Sequence, residues 1–96
     1  MAKRLLEWSG PAQRDRRKIV EFYATEASVF IADEAFLAIQ AAGEKAAKSP
    51  LLYREGKRPG TREYVMRRFP YIVVFKVEPD RVYVLRVLHQ ALRYFN

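Results

Sequence analysis

The sequence predicts an α+β fold: an antiparallel β-sheet, in the chain order β-α-α-β-β-β, covered on one face by an N-terminal helical hairpin. Three observations carry this. Hydrophobic residues recur at helical spacing through the first half, the spacing becomes two after Pro50, and Gly and Pro stand where the pattern changes. Helices followed by a run of strands are the α+β pattern. With 96 residues, half of them hydrophobic, the chain has room for one core, so residues 1–96 are expected to form a single domain.

Arg4 to Trp8 is short, apolar and partly alternating, and Ser9-Gly10-Pro11 cuts it off, which predicts a strand and then a helix with Pro11 in its first turn. That helix runs to about Ala27. Its Ile19, Phe22 and Tyr23 form a core-facing stripe, while Arg14, Asp15, Arg16, Arg17 and Lys18 read as a mostly solvated segment. Ser28 caps a second helix whose Val29, Ile31, Ala32, Ala35, Phe36, Ala38, Ile39 and Ala42 predict deep burial as far as Ser49-Pro50. Gly43 inside it reads as a defect of about 1 kcal/mol relative to Ala. Leu51 to Gly60 is a connection broken by Gly56, Pro59 and Gly60. Strands then follow at Arg62 to Phe69, Tyr71 to Val77 and Arg81 to His89, the last two joined by a Glu78-Pro79-Asp80 turn. The strand at Leu5 to Trp8 is expected to join the sheet. The tail from Gln90 to Asn96 carries Leu92, Tyr94 and Phe95, which need a surface to pack on.

Charge narrows the class of partner. Lys and Arg number 18 against 11 Asp and Glu, for a net +7 and a pI near 10.0. Residues 1–49 carry 8 basic and 7 acidic side chains, whereas residues 50–96 carry 10 and 4, so the second half alone has +6. An excess of this size favours an anionic partner. Cysteine is absent, which excludes disulfides and thiolate metal sites and agrees with a cytoplasmic location. The N-terminus meets charge too early for a signal peptide, and the longest apolar runs, such as Tyr71 to Phe75, are too short to span a bilayer. The basic excess lies in strands and loops rather than on an amphipathic helix, so no membrane partner is expected.

Few residues can carry chemistry. His89 is the single histidine, so no metal site is expected, and no cofactor. Gly56-Lys57-Arg58-Pro59-Gly60-Thr61 lacks the Gly-Lys-Ser/Thr order of a phosphate loop. Ser9 and Ser49 stand in turn or cap contexts rather than beside a base. Regular alternation places Arg62, Tyr64, Met66 and Arg68 on one face of their strand, with Glu63, Val65 and Arg67 on the other. In the last strand it groups Arg86 with Val82, Val84 and Leu88, and His89 with Arg81, Tyr83, Leu85 and Val87. Arg62 and Arg86 could then converge across the sheet, where guanidinium forks suit phosphate or carboxylate. Equally, they could be structural partners of Glu63, Glu78 or a backbone carbonyl.

Four strings resemble the RelE/ParE toxins of bacterial toxin-antitoxin pairs, and together they span nearly the whole chain: Trp8-Ser9-Gly10-Pro11-Ala12, Gly60-Thr61-Arg62-Glu63, Phe69-Pro70-Tyr71-Ile72-Val73-Val74-Phe75, and Val84-Leu85-Arg86-Val87-Leu88-His89. The resemblance implies a toxin neutralised by a small acidic, ParD-like antitoxin that wraps around it. RelE-like members cut mRNA in the ribosomal A site, whereas ParE-like members inhibit DNA gyrase and are not nucleases. Cleavage needs a base, an acid and cations for the charged phosphorane. By resemblance, Glu63 or His89 would supply the first two, Arg62 and Arg86 would hold phosphate, and Tyr94 would stack or donate. A dense C-terminal cluster of Lys, Arg, Tyr and His is missing, and the Gly-Thr-Arg-Glu and Leu-Arg-Val-Leu-His strings look closer to the ParE-like branch. The expected activity is therefore gyrase inhibition without catalysis, with the ribosome-dependent endoribonuclease as the alternative and a non-toxic basic binding module third. The residues expected to face the target are Arg62, Arg67, Arg68, Arg86 and His89. Phe22, Tyr23, Arg54 and Arg58 are expected to face the antitoxin, through an amphipathic acidic segment of that partner.

Overall fold

The computed structural model describes residues 4–91. Among these residues the elements are β1 (Leu5–Trp8), α1 (Gly10–Glu26), α2 (Val29–Lys48), a single 3₁₀ turn (Pro50–Leu52), β2 (Arg54–Glu55), β3 (Thr61–Val65), β4 (Tyr71–Val77) and β5 (Arg81–His89). The tail residues Leu92, Tyr94 and Phe95 lie outside the described residues.

Both helices begin where the sequence places a cap. Ser9 Oγ accepts from the Ala12 N–H at 3.1 Å, and Ser28 Oγ accepts from the Ile31 N–H at 3.1 Å. Each bond satisfies one of the donors that a helix start leaves without a partner. Lys45 and Lys48 sit in the last turn of α2, where cations suit the carbonyl end, and Pro50 follows.

The sheet order is β1-β5-β4-β3-β2. Strands β2 to β5 form an antiparallel meander, and β1 lies parallel to β5 along its outer edge, so the sheet is mixed. Alternation along a strand carries no information about direction. The two-residue β2 is also new, being too short to give a periodic signal.

The helical hairpin covers one face of this sheet. Ala35, Ile39, Ala42, Ala46 and Ala47 of α2 pack with Val73 and Phe75 of β4 and Val82, Val84 and Val87 of β5. Alanine lets the helix lie close to the sheet, and each fully buried Val, Ile or Phe contributes about 1.5–3 kcal/mol. Only this stripe of α2 is deeply covered. Val29, Phe30, Phe36 and Leu37 are exposed, Phe30 by 68%, because the sheet and α1 flank the helix on two sides only. On α1, Ile19 is buried and Tyr23 half-buried, but Phe22 is exposed.

Arg16 departs furthest from the solvated segment expected around it, with only 7% of its surface exposed. Its Cζ lies 4.0 Å from the centre of the Trp8 ring and 5.0 Å from that of Phe36, and Nη2 donates to Gln40 Oε1 at 2.9 Å. Burial holds its pKa below the usual arginine value. The guanidinium thus joins β1, α1 and α2 through the faces of two aromatic rings.

The expected strand from Arg62 to Phe69 stops at Val65. Beyond it the chain curls so that Met66 and Phe69 enter the core, with the Met66 N–H donating to the Tyr71 carbonyl at 3.0 Å. The register of β5 also breaks. Val74 pairs with Arg86 but Phe75 pairs with Val84, leaving Leu85 as an extra residue. This β-bulge turns Val84 and Val87 to the core while Arg86 stays exposed. Arg86 therefore does not share a face with Val82 and Val84, as strict alternation requires.

Candidate functional site

The face of the sheet away from the helices carries a cleft of about 350 Å³. Val74, Leu85 and Leu88 supply its apolar lining, and Lys57, Arg58 and Arg86 surround it with positive charge. Thr61 and Glu63 complete the lining. Register explains the layout, because Glu63, Val74 and Arg86 stand opposite one another across β3, β4 and β5.

The loop before β3 holds two of these cations in place. The Gly56 N–H donates to the Thr61 carbonyl at 2.8 Å, and the Thr61 hydroxyl donates to the Arg58 carbonyl at 2.6 Å. A Cβ on residue 56 would sit 2.3 Å from Thr61 Oγ1, and Gly60 has φ of +82°, so both glycines are required by the turn.

Arg86 also lines a second cleft, of about 590 Å³, between α1 and the end of β5. Lys18, Phe22, Tyr23, Tyr71, Leu88 and His89 are among its other walls. Asp15 of α1 holds Arg86 between the two clefts. Arg86 donates from Nε to Asp15 Oδ2 at 2.7 Å and from Nη2 to Oδ1 at 3.0 Å, which raises the arginine pKa further.

The remaining candidate residues are dispersed. Arg62 stands opposite Phe75, on the helix-covered side, and donates to the Tyr53 carbonyl at 2.7 Å. It does not converge with Arg86. Arg68 pairs with Glu34 of α2, and exposed Arg67 lines a separate hollow beside Arg54 and Tyr64. Arg54 binds the buried Glu63 carboxylate at 3.0 Å. His89 stacks edge-on against Tyr71 at 5.5 Å, and its Nδ1 accepts from the Ala91 N–H at 3.1 Å. Of the set expected to face the target, Arg86 and His89 thus share the α1–β5 cleft and Arg86 also lines the open one, whereas Arg62, Arg67 and Arg68 lie elsewhere. Of the set expected to face the antitoxin, Phe22 and Tyr23 line the α1–β5 cleft, and Arg58 the open one.

Lys57 and Leu85 belong to the open cleft but were not singled out by alternation, since one lies in a loop and the other is the bulge residue. Among the described residues no group of three or more His, Asp or Glu could hold a metal ion, and no helix is long and apolar enough to cross a membrane.

Among the described residues, Tyr71 is the one tyrosine with a large displacement. Burial, reinforced by its contact with Tyr23, pushes its phenol up to about 12. Its folded pKa lies above the unfolded value near 10. The corresponding stability is therefore complete below about pH 10 and lost as pH rises toward 12. Denaturant titrations between pH 9 and 12 should show this decline in the native chain and a smaller one in Tyr71→Phe.

The open face of this small basic domain thus carries a cationic, apolar-lined cleft whose carboxylate is bound by an arginine. The family model described as the ParE toxin of type II toxin-antitoxin systems, parDE, matches residues 6–94. The chain belongs to this family of toxins within the RelE/ParE superfamily. Its fold is similar to that of a chain in the chromosomal ParDE system from P. aeruginosa, with a TM-score of 0.81 at 20% identity over 91% of this chain and 96% of that one. It is also similar to a chain in the toxin-antitoxin complex RelBE2 from Mycobacterium tuberculosis, with a TM-score of 0.65 at 21% identity over 95% of both chains. No curated protein sequence matches the chain.

Proposed function

We propose that this toxin acts by binding rather than by catalysis, inhibiting DNA gyrase through its open sheet face, and that an acidic ParD-like antitoxin neutralises it in the cytoplasm. The observation that carries the reading is the makeup of the open cleft. It gathers three cations around an apolar lining, yet its one carboxylate, Glu63, is buried and held by Arg54. His89 points into the other cleft and accepts a backbone N–H. A proton-transfer pair for RNA cleavage needs both groups within reach of one phosphate. Binding requires only complementary charge and shape.

The antitoxin reading follows from both clefts. Phe22 and Tyr23 offer apolar anchor sites for an amphipathic segment, and Arg58 and Arg86 offer partners for its carboxylates. Purified chain should inhibit gyrase supercoiling and leave mRNA intact in translating ribosomes, and the cognate antitoxin should reverse the inhibition. Ribosome-dependent cleavage abolished by His89→Ala or Arg86→Ala would establish the RelE-like activity instead.

A further inference from the structure

In a regular strand, successive backbone carbonyls point to opposite sides. At the bulge they do not, because Val84 and Leu85 both direct their carbonyls at Ser9. The Ser9 N–H donates to the Val84 oxygen at 2.9 Å, and Ser9 Oγ donates to the Leu85 oxygen at 2.8 Å. One step further on, the Val87 N–H donates to Asp15 Oδ2 at 2.9 Å. β1 ends at Trp8, so it cannot serve this part of the β5 edge. The start of α1 does so instead, with a serine and an aspartate six residues apart.

Asp15 has two tasks in this arrangement. It accepts the Val87 N–H, and the same carboxylate grips both Nε and Nη2 of Arg86. Its side chain is 14% exposed, whereas that of Arg86 is 48% exposed. The less exposed partner, also tied to the Val87 N–H, is the more fixed of the two, and the exposed one is aimed by it. A bidentate carboxylate fixes the plane of a guanidinium as well as its position.

We infer that Asp15 is a positioning residue: bracketed with Ser9 around the Leu85 bulge, it holds the Arg86 guanidinium at the divide between the two clefts, ready for an anionic group of the target. This rests on the reading that the open face meets the target. In that role Asp15 touches no ligand and acts through Arg86 alone.

Asp15→Asn separates the two tasks, since its amide oxygen can still accept the Val87 N–H but the side chain offers the guanidinium neither a negative charge nor a second acceptor oxygen. Asp15→Ala removes both. Expected for Asp15→Asn is a loss of gyrase inhibition on the order of tenfold, equal to that of Arg86→Gln, with no further loss in the double variant. Amide hydrogen exchange at Val87 should stay near native in Asp15→Asn and rise by about tenfold or more in Asp15→Ala. Full potency in Asp15→Asn together with a loss in Arg86→Gln would overturn the inference, as would additive losses. If Arg86→Gln itself retained full potency, the reading of the open face would fall. Val87 exchange would then still decide whether Asp15 holds the bulge, and native exchange in Asp15→Ala would overturn that too.

Discussion

A chain carrying Lys57→Gln, Arg58→Gln and Arg86→Gln is expected to associate with its acidic antitoxin about tenfold more slowly at low salt and to lose most gyrase inhibition, while melting close to the native temperature. The substitutions take the net charge from +7 to +4 and empty the open cleft of its cations. Lys57 and Arg58 are exposed and lie on a loop whose backbone geometry is set by Gly56, Gly60 and Thr61, so the turn itself is expected to survive exchange of their side chains. The Arg86–Asp15 pair is half-exposed, and such pairs contribute about 1 kcal/mol or less to stability.

Arg14→Gln, Arg17→Gln and Lys48→Gln together make the matching control, since these three residues are exposed, lie on the helices and change the net charge equally. If steering comes from the cleft, the cleft variant alone should lose rate, and its rate should depend more weakly on salt. Stopped-flow association at several ionic strengths would measure both. Equal slowing by the control would mean that net charge, and not the open face, attracts the antitoxin.

The elements that local chemistry specifies were legible in the sequence. Ser9 and Ser28 cap the helices, Pro50 follows the second, and Tyr71 to Val77 and Arg81 to His89 have the bounds that alternation gives. What escaped depended on contacts between elements. The parallel placement of β1 follows from which sheet edge was left open, a property of topology. Arg16 looked like its charged neighbours because its burial depends on Trp8 and Phe36, which belong to other elements.

The site was harder to read, because one residue decides it. Val82, Val84 and Val87 all face the core, and the step of three between the last two is the sequence signal of the bulge at Leu85. Read as regular alternation, the same string sends Arg86 to the wrong face and brings it toward Arg62. A single extra residue therefore separates two arginines that pattern alone would join.

Gly43→Ala is expected to destabilise the native chain by about 2 kcal/mol, although alanine is the better helix former by about 1 kcal/mol. A Cβ at residue 43 would lie 2.6 Å from Trp8 Cζ2 and 2.9 Å from Cη2, and 3.3 Å from Leu6 Cδ2. The indole occupies that space with Arg16 on its face, so it cannot retreat without unstacking a buried guanidinium. The glycine that reads as a defect in α2 is the recess into which β1 packs. Trp8→Ala alone should cost about 3–5 kcal/mol, from the lost burial and the cavity left beside Arg16. In that background the clash is gone, and Gly43→Ala should become neutral or stabilising by up to about 1 kcal/mol through helix propensity. The two substitutions are thus predicted to couple by roughly 2–3 kcal/mol, measurable in denaturant melts of the four chains. Additive effects would mean that Trp8 does not rest on residue 43 in solution, and the packing of β1 against α2 would need a different origin.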